Sequence, residues 1–140
     1  NITDALHDKG CAGFIVSAQN LDQTENPVVG ITQIPVIARV AHDRIEQKQL
    51  RRDVLFSYDV QTGACEILYR PGNNRTRIVG YEDGVMYLYE KDAIYQKPLD
   101  GRKERLAILP PSDSYTFDWW DGKLIVLDHE TNELVEVMEI

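Results

Sequence analysis

Short apolar runs separated by turn-forming residues are the main pattern of this chain. From residue 53 onward, Asp, Gly, Asn and Pro interrupt the apolar runs at regular intervals. Apolar runs of this length, bounded by turn residues, are typical of antiparallel strands. The predicted strands cover residues 54–58, 64–69, 76–81, 85–89, 93–97, 104–109, 115–119, 123–127 and 134–140. The pattern therefore predicts repeated β-hairpins over residues 53–140.

The first 52 residues have a mixed pattern. Residues 2–9 predict one or two helical turns, with Thr3 as the N-cap and Gly10 as the stop. Residues 12–18 are apolar with adjacent β-branched side chains, which predicts a strand. The N-terminal part therefore combines a short helix with a strand.

Residues 28–40 predict one or two strands, because Pro35 cannot donate to a strand ladder and is expected at a strand start or an edge. Residues 42–52 are polar and have no apolar stripe, which predicts a loop or a short exposed helix. We expect a single, mainly β domain over residues 1–140. Strand should exceed ~35% and helix stay below ~15%, against averages of about 20–25% and 30–35%.

Two turn motifs recur along the chain and indicate an internal repeat. The motif D-x-x-T-[GN] occurs at residues 59–63 and 128–132. The dipeptide Asp83-Gly84 recurs as Asp121-Gly122, and both copies suit two-residue hairpin turns because Asp and Gly tolerate a positive φ. A period of ~30–50 residues with several strands per unit is typical of a β-propeller blade or a related sheet repeat.

With these motifs, residues 53–140 resemble the blades of bacterial β-propellers of the TolB-like or quinoprotein-like kind. The resemblance implies antiparallel, propeller-like blades. Two or three units do not close a ring that usually needs about four or more blades. We therefore expect a partial propeller that is a piece of a longer one, units packed as a sandwich or barrel, or a ring closed by another copy. Residues 8–40 resemble the protease-associated domain in the segment DKGCAGFIV and the later IPVI.

Composition and charge narrow the class of protein. The chain has 140 residues, of which 43% are hydrophobic and 27% are charged, as in folded globular proteins. The formal net charge of −8 repels phosphate backbones, so we expect no nucleic-acid partner. No apolar run approaches the ~20 residues that span a bilayer. We expect an extracytoplasmic or secreted location within a larger protein, with a cytoplasmic one as the alternative.

The residues that usually carry chemistry are scattered. No two of His7, His42 and His129 have metal-ligand spacing, and Cys11 and Cys65 lie far apart along the chain. Two buried thiols are favoured over one disulfide. No Gly-rich phosphate loop is present. We therefore predict no catalytic residue, no cofactor and no metal site.

Four carboxylates are clustered towards the end of the chain and have two interpretations: Asp113, Asp118, Asp121 and Asp128. Paired carboxylates serve glycoside hydrolysis or bind calcium. Asp also fills turn positions for backbone reasons alone, and this second interpretation is favoured here.

Aromatic residues are concentrated between residues 81 and 120. The candidate partner-binding residues are Trp119, Trp120, Tyr87, Tyr89 and Tyr95. Because adjacent residues of an extended segment face opposite ways, one tryptophan is expected in the core and the other on the surface, unless both pack between sheets. An exposed tryptophan often marks a binding surface.

These observations predict a non-catalytic binding or scaffolding module of a larger protein. It would recognise a protein or glycan partner through aromatic surface residues, and self-association is compatible with the pattern. The alternative is a fragment of a propeller-type hydrolase, such as a glycosidase, or a peptidase accessory domain.

Overall fold

Antiparallel strands dominate the structure, a computed structural model that describes residues 2–12, 17–19, 26–40, 46–73, 75–120 and 122–139. More than half of the chain lies in strands, and the described helix, α1, is short. The expectation of a mainly β fold built from antiparallel hairpins is confirmed. Two compact units divide the chain, residues 1–76 and residues 77–140. The expectation of a single domain stays a prediction.

The unit of residues 1–76 contains one four-stranded antiparallel sheet with the order β1-β2-β3-β4. Its elements are α1 (Ile2–Asp8), β1 (Ser17–Gln19), β2 (Val28–Val40), β3 (Glu46–Tyr58) and β4 (Cys65–Tyr69). The strands β2 and β3 pair without interruption from Val28↔Tyr58 to Val40↔Glu46. The hairpin of β2 and β3 therefore forms the two central strands of this sheet.

The prediction of a loop or helix for residues 42–52 is wrong for residues 46–52, which belong to β3. These residues are polar and carry no apolar alternation that would have predicted a strand. Their strand conformation comes from backbone pairing with residues 34–40 of β2, because tertiary pairing overrides weak local preference. Residues 42–45 lie outside the described residues.

The N-terminal helix ends as predicted. Gly10 adopts a φ of 78°, its N–H donates to the carbonyl of His7 at 3.0 Å, and the N–H of Cys11 donates to the carbonyl of Leu6 at 2.9 Å. A glycine with a left-handed backbone is the usual end of a helix. Thr3 lies inside the helix, which starts at Ile2, so its predicted role as N-cap is wrong.

The prediction of a strand for residues 12–18 is met only at Ser17 and Ala18, which belong to β1. Residues 13–16 lie outside the described residues. Pro35 lies within β2 opposite Arg51, beyond Ile31, where the described pairing with β1 stops. Proline is tolerated there because the described ladder has a partner on one side only.

The unit of residues 77–140 contains two antiparallel sheets, with the orders β5-β6-β7-β8 and β11-β10-β9. The first contains β5 (Arg77–Glu82), β6 (Val85–Glu90), β7 (Ala93–Pro98) and β8 (Glu104–Ile108), and the second contains β9 (Tyr115–Trp120), β10 (Lys123–Asp128) and β11 (Glu133–Glu139). The separation between the starts of β5 and β9 equals that between the starts of β6 and β10. The sequence repeat is therefore a repeat of hairpins.

The Asp-Gly turns are two-residue hairpin tips, as predicted. Asp83 and Gly84 have φ values of 50° and 82°, and the flanking residues Glu82 and Val85 are paired. Gly122 has a φ of 69° and follows Asp121, which lies outside the described residues. Positive φ at both central positions is the requirement of a type I′ turn.

The D-x-x-T-[GN] segments also form turns. Asp59 Oδ1 accepts hydrogen bonds from the backbone N–H of Gln61 at 2.8 Å and of Thr62 at 3.2 Å, and Gly63 has a φ of 76°. In the second copy, Asp128 Oδ1 accepts the N–H of Glu130 at 2.9 Å. These bonds hold the turn because the Asp side chain satisfies donors that the strands leave unpaired.

Each unit has its own apolar cluster. The first contains Leu6, Cys11, Val54 and Phe56. The second contains Ile94, Leu109, Tyr115, Leu124 and Val126. No helix among the described residues is long and apolar enough to cross a membrane.

Candidate functional site

A cleft of about 250 Å³ lies within the unit of residues 77–140. It is formed by the first residues of β5 and β9, the end of β6, the β6–β7 turn and the loop that precedes β9. Its lining residues are Arg77, Tyr89, Lys91, Asp92, Ser112, Asp113 and Tyr115. The cleft therefore draws on both sheets of this unit.

The β6–β7 turn is held in a tight conformation beside the cleft. Lys91 and Asp92 have φ values of 50° and 62°, and the flanking residues Glu90 and Ala93 are paired. The N–H of Leu109 donates to the carbonyl of Asp92 at 2.7 Å, which ties the turn to the chain that leaves β8. Neither Lys nor Asp is glycine, so the hydrogen bond and the strand pairing fix a backbone conformation that these residues rarely adopt.

Two tyrosine rings form the aromatic wall of the cleft. Tyr89 and Tyr115 pack edge to face, with ring centroids 5.9 Å apart and an interplanar angle of 89°. Tyr89 also packs against Phe117 at 4.8 Å. The hydroxyl of Tyr115 donates to the carbonyl of Pro110, and that of Tyr89 donates to Asp92 Oδ1 at 3.1 Å. These bonds fix the orientation of both rings.

Burial and the neighbouring carboxylate favour the protonated form of these tyrosines. Desolvation, the hydrogen bond to Asp92 and the charge of Asp92 raise the pKa of Tyr89 to about 12. Desolvation and the charges of Asp128 and Asp92 also raise the pKa of Tyr115. Both rings therefore keep a neutral hydroxyl well above neutral pH.

The charged side chains around the cleft balance one another. Arg77 and Lys91 are cationic, and Asp92 and Asp113 are anionic. The Arg77 guanidinium lies 5.2 Å from the centre of the Phe117 ring, and its Nη1 donates to the carbonyl of Tyr115 at 3.5 Å. The cleft thus presents charged donors and acceptors without a net charge of its own, whereas the whole chain carries −8.

The predicted aromatic residues lie in three different places. Tyr89 lines the cleft. Tyr87 is buried and packs against the half-buried Trp119, with ring centroids 5.2 Å apart. Tyr95 lies under the Lys103 ammonium, which is 4.5 Å from its ring centre. The side chain of Trp120 lies outside the described residues. A partner-binding role for this set stays a prediction.

Sequence reasoning missed Arg77, Lys91, Asp92 and Ser112 as members of a site. One signal was present, because Arg77 and Tyr115 occupy the same position in the two repeats, at the start of β5 and of β9. When repeated hairpins pack together, residues at equivalent positions can lie close to one another in space. Lys91 and Asp92 had no such signal.

The remaining candidates do not join the cleft. His129 Nε2 lies 2.8 Å from Thr116 Oγ1 in an exposed pair. Asp118 is exposed on β9, and Asp128 holds its turn. Cys11 and Cys65 are both thiols, and burial raises the pKa of each. Among the described residues, no group of three or more His, Cys, Asp or Glu is arranged to hold a metal ion.

No protein-family model, curated protein or solved structure matches this chain. The likenesses to propeller blades and to the protease-associated domain therefore stay predictions.

Proposed function

We propose that this chain is a non-catalytic binding module that holds one residue of a glycan in the cleft of residues 77–140. One observation carries the proposal. Two fixed tyrosine rings and four charged side chains of balanced sign line the same small cleft.

The lining matches the two sides of a sugar ring. A sugar has apolar C–H groups, which pack on aromatic rings, and hydroxyls, which both donate and accept hydrogen bonds. Tyr89 and Tyr115 supply the aromatic surface. Arg77 donates from a planar fork, and Asp113 accepts, so neighbouring hydroxyls can be bound together. Balanced charges favour an uncharged ligand over an ion.

The size of the cleft supports recognition of part of a larger molecule. Pockets that enclose small molecules usually have volumes of about 300–1,000 Å³. The cleft of about 250 Å³ is smaller. A single sugar residue, presented by a longer chain, suits this volume.

Binding to an array of immobilised glycans, followed by calorimetric titration with the best ligand, tests the proposal. Asp113→Asn and Arg77→Gln should each weaken binding about tenfold or more, since a hydrogen bond to a charged group contributes roughly 1.5–3 kcal/mol. Tyr89→Phe should also weaken binding, because its hydroxyl orients Asp92. The matched control is Tyr81→Phe, which changes a tyrosine of the same sheet that does not line the cleft.

Equal binding by the wild type and all cleft variants would overturn the proposal, and so would the absence of any bound glycan. Hydrolysis of the bound glycan would instead favour the glycosidase alternative. For that reaction Asp92 and Asp113 would be the carboxylates to test, because both line the cleft.

A further inference from the structure

The large exposed hydrophobic side chains of the described residues lie on two strands. Leu106 and Ile108 of β8 are 37% and 67% exposed, and Leu134 and Val137 of β11 are 59% and 43% exposed. Single exposed apolar residues are ordinary on a protein surface. Their concentration on two strands indicates contact surfaces.

Both strands are the outermost strands of their sheets. Within the described part of the chain, β8 pairs with β7 alone and β11 pairs with β10 alone. An outermost strand presents unpaired backbone N–H and C=O groups, which can pair with a strand of another chain. On β8 and on β11, exposed apolar side chains therefore occur together with an edge that pairs with no second strand of the described residues.

The charges of the two edges are opposite. β8 has Arg105 and also Glu104, whose Oε2 accepts a hydrogen bond from Gln96 at 3.0 Å, and Arg102 precedes the strand. β11 has Glu133, Glu136 and Glu139. These six charged side chains of the two edges are exposed. Lys103 adds positive charge near β8, although it already forms an ion pair with Glu90 at 3.1 Å. Opposite charges on directly facing residues stabilise a pair of strands.

We propose that β11 of one copy of this chain pairs antiparallel with β8 of a second copy. A register that sets Glu136 opposite Arg105 also sets Glu139 opposite Arg102 and Val135 opposite Leu106. Two acidic residues then face two basic ones, and Leu134 faces Ala107 as a second apolar pair. The same register sets Val137 opposite Glu104 and Ile108 opposite Glu133.

The irregularities of the two strands agree with this register. Leu106 is the extra residue of β8 where its pairing with β7 shifts, and Val135 is the extra residue of β11 where its pairing with β10 shifts. An extra residue on one strand alone would break a ladder. Placed opposite each other, the two extra residues preserve the register of the strand pairing on both sides of them.

The contact joins two different surfaces, so a dimer retains one unpaired β8 and one unpaired β11. Association of this kind continues beyond the dimer unless the geometry closes a ring. The net charge of −8 on each copy opposes association and so weakens it. Because a weak association depends on concentration, the assembly should grow as the protein concentration rises.

Sedimentation velocity of the full chain in the presence of a reductant, over a wide range of concentration, tests the proposal. The reductant prevents cross-linking through Cys11 and Cys65. The wild type should show an average mass that rises with concentration. Arg105→Glu and Glu136→Arg should each abolish the rise, because each sets like charges opposite one another. The double variant, which exchanges the two charges, should restore it.

The matched controls are Arg75→Glu and Glu130→Arg, which make the same charge changes at exposed positions outside both strands. Both should assemble like the wild type, and unchanged melting temperatures establish that every variant is folded. A wild type that stays monomeric would overturn the proposal. So would assembly that survives both single reversals, or a double variant that stays monomeric.

Discussion

The hairpin β5–β6 and the hairpin β9–β10 have strands of equal length and a two-residue turn at the same place. At equivalent positions, however, Gly80 of β5 corresponds to Asp118 of β9, and Tyr81 to Trp119. A Cβ atom added to Gly80 would lie 2.6 Å from Trp119 Cε3. One repeat thus provides the space that a side chain of the other fills. The repeat determines the two hairpins and the place of their turns, although Val79 of β5 is an extra residue in the pairing with β6 and β9 pairs with β10 without a shift. Unlike side chains determine how the two hairpins pack.

Differences between the two hairpins at equivalent positions also explain where the cleft lies. Arg77 and Tyr115 are equivalent and both line it, but Tyr89 corresponds to Leu127, which does not. The turn after β6 consists of Lys91 and Asp92 alone, whereas the turn after β10 is longer and covers residues 129–132. Only the first repeat therefore brings a tyrosine and a tight charged turn to the same place.

Removing the side chain of Trp119, which occupies the space beside Gly80, should have the largest effect on stability. Trp119→Ala should lower the free energy of unfolding by roughly 3 kcal/mol, the lower end for loss of a buried Phe or Trp, since Trp119 is half-buried. Denaturant unfolding measures this. Asp118→Ala, a change at the exposed neighbouring residue, should stay within about 0.5 kcal/mol. Equal losses in the two variants would mean that Trp119 does not pack as described.

Filling the space at Gly80 should cost less. Gly80→Ala should lower the free energy of unfolding by about 1–3 kcal/mol, because the new methyl group overpacks against Trp119. In the double variant with Trp119→Ala, the added cost of Gly80→Ala should largely disappear, since contacting residues are not additive. A fully additive double-mutant cycle would contradict the contact.

The two Asp-Gly turns should respond alike. Gly84→Val and Gly122→Val should each lower the free energy of unfolding by on the order of 1–2 kcal/mol, since each forces a β-branched residue to a positive φ. Gly72→Val is the control, because an added Cβ meets no atom within 4 Å at Gly72, Gly84 or Gly122, while Gly72 lacks the positive φ of the two turn glycines. A loss at only one turn would show that the two turns differ in backbone conformation.

The last effect concerns Tyr89, which corresponds to Leu127 in the second repeat. The ordinary pKa of 10.0 applies to Tyr89 in the unfolded chain, and its pKa in the folded chain is about 12. Unfolding in this range therefore releases a proton, so the free energy of unfolding should fall as the pH rises from about 10 to about 12. Tyr89→Phe should make that fall less steep. Chemical denaturation at several alkaline pH values measures both slopes, and identical slopes would contradict the assignment.

The turns were predictable from sequence, whereas the length of β3 was not. Asp83-Gly84 and the motif of residues 59–63 act through local φ preferences and hydrogen bonds between close neighbours. Residues 46–52 carry no local strand signal, and only pairing with β2 makes them a strand. Only some of the residues that line the cleft could be identified from the sequence. Tyr89 was identified by its aromatic character, while Arg77 and Asp92 reach it only through strand pairing.

By itself, the sequence determined the hairpins and their regular spacing, because turn residues and apolar alternation act over a few neighbouring residues. The tertiary structure alone decided that Trp119 lies over Gly80 and that Tyr89 and Tyr115 meet with Arg77 and Asp113 around one cleft. Those contacts join residues that are distant along the chain. They depend on how two sheets pack, and no local preference of the backbone encodes that packing.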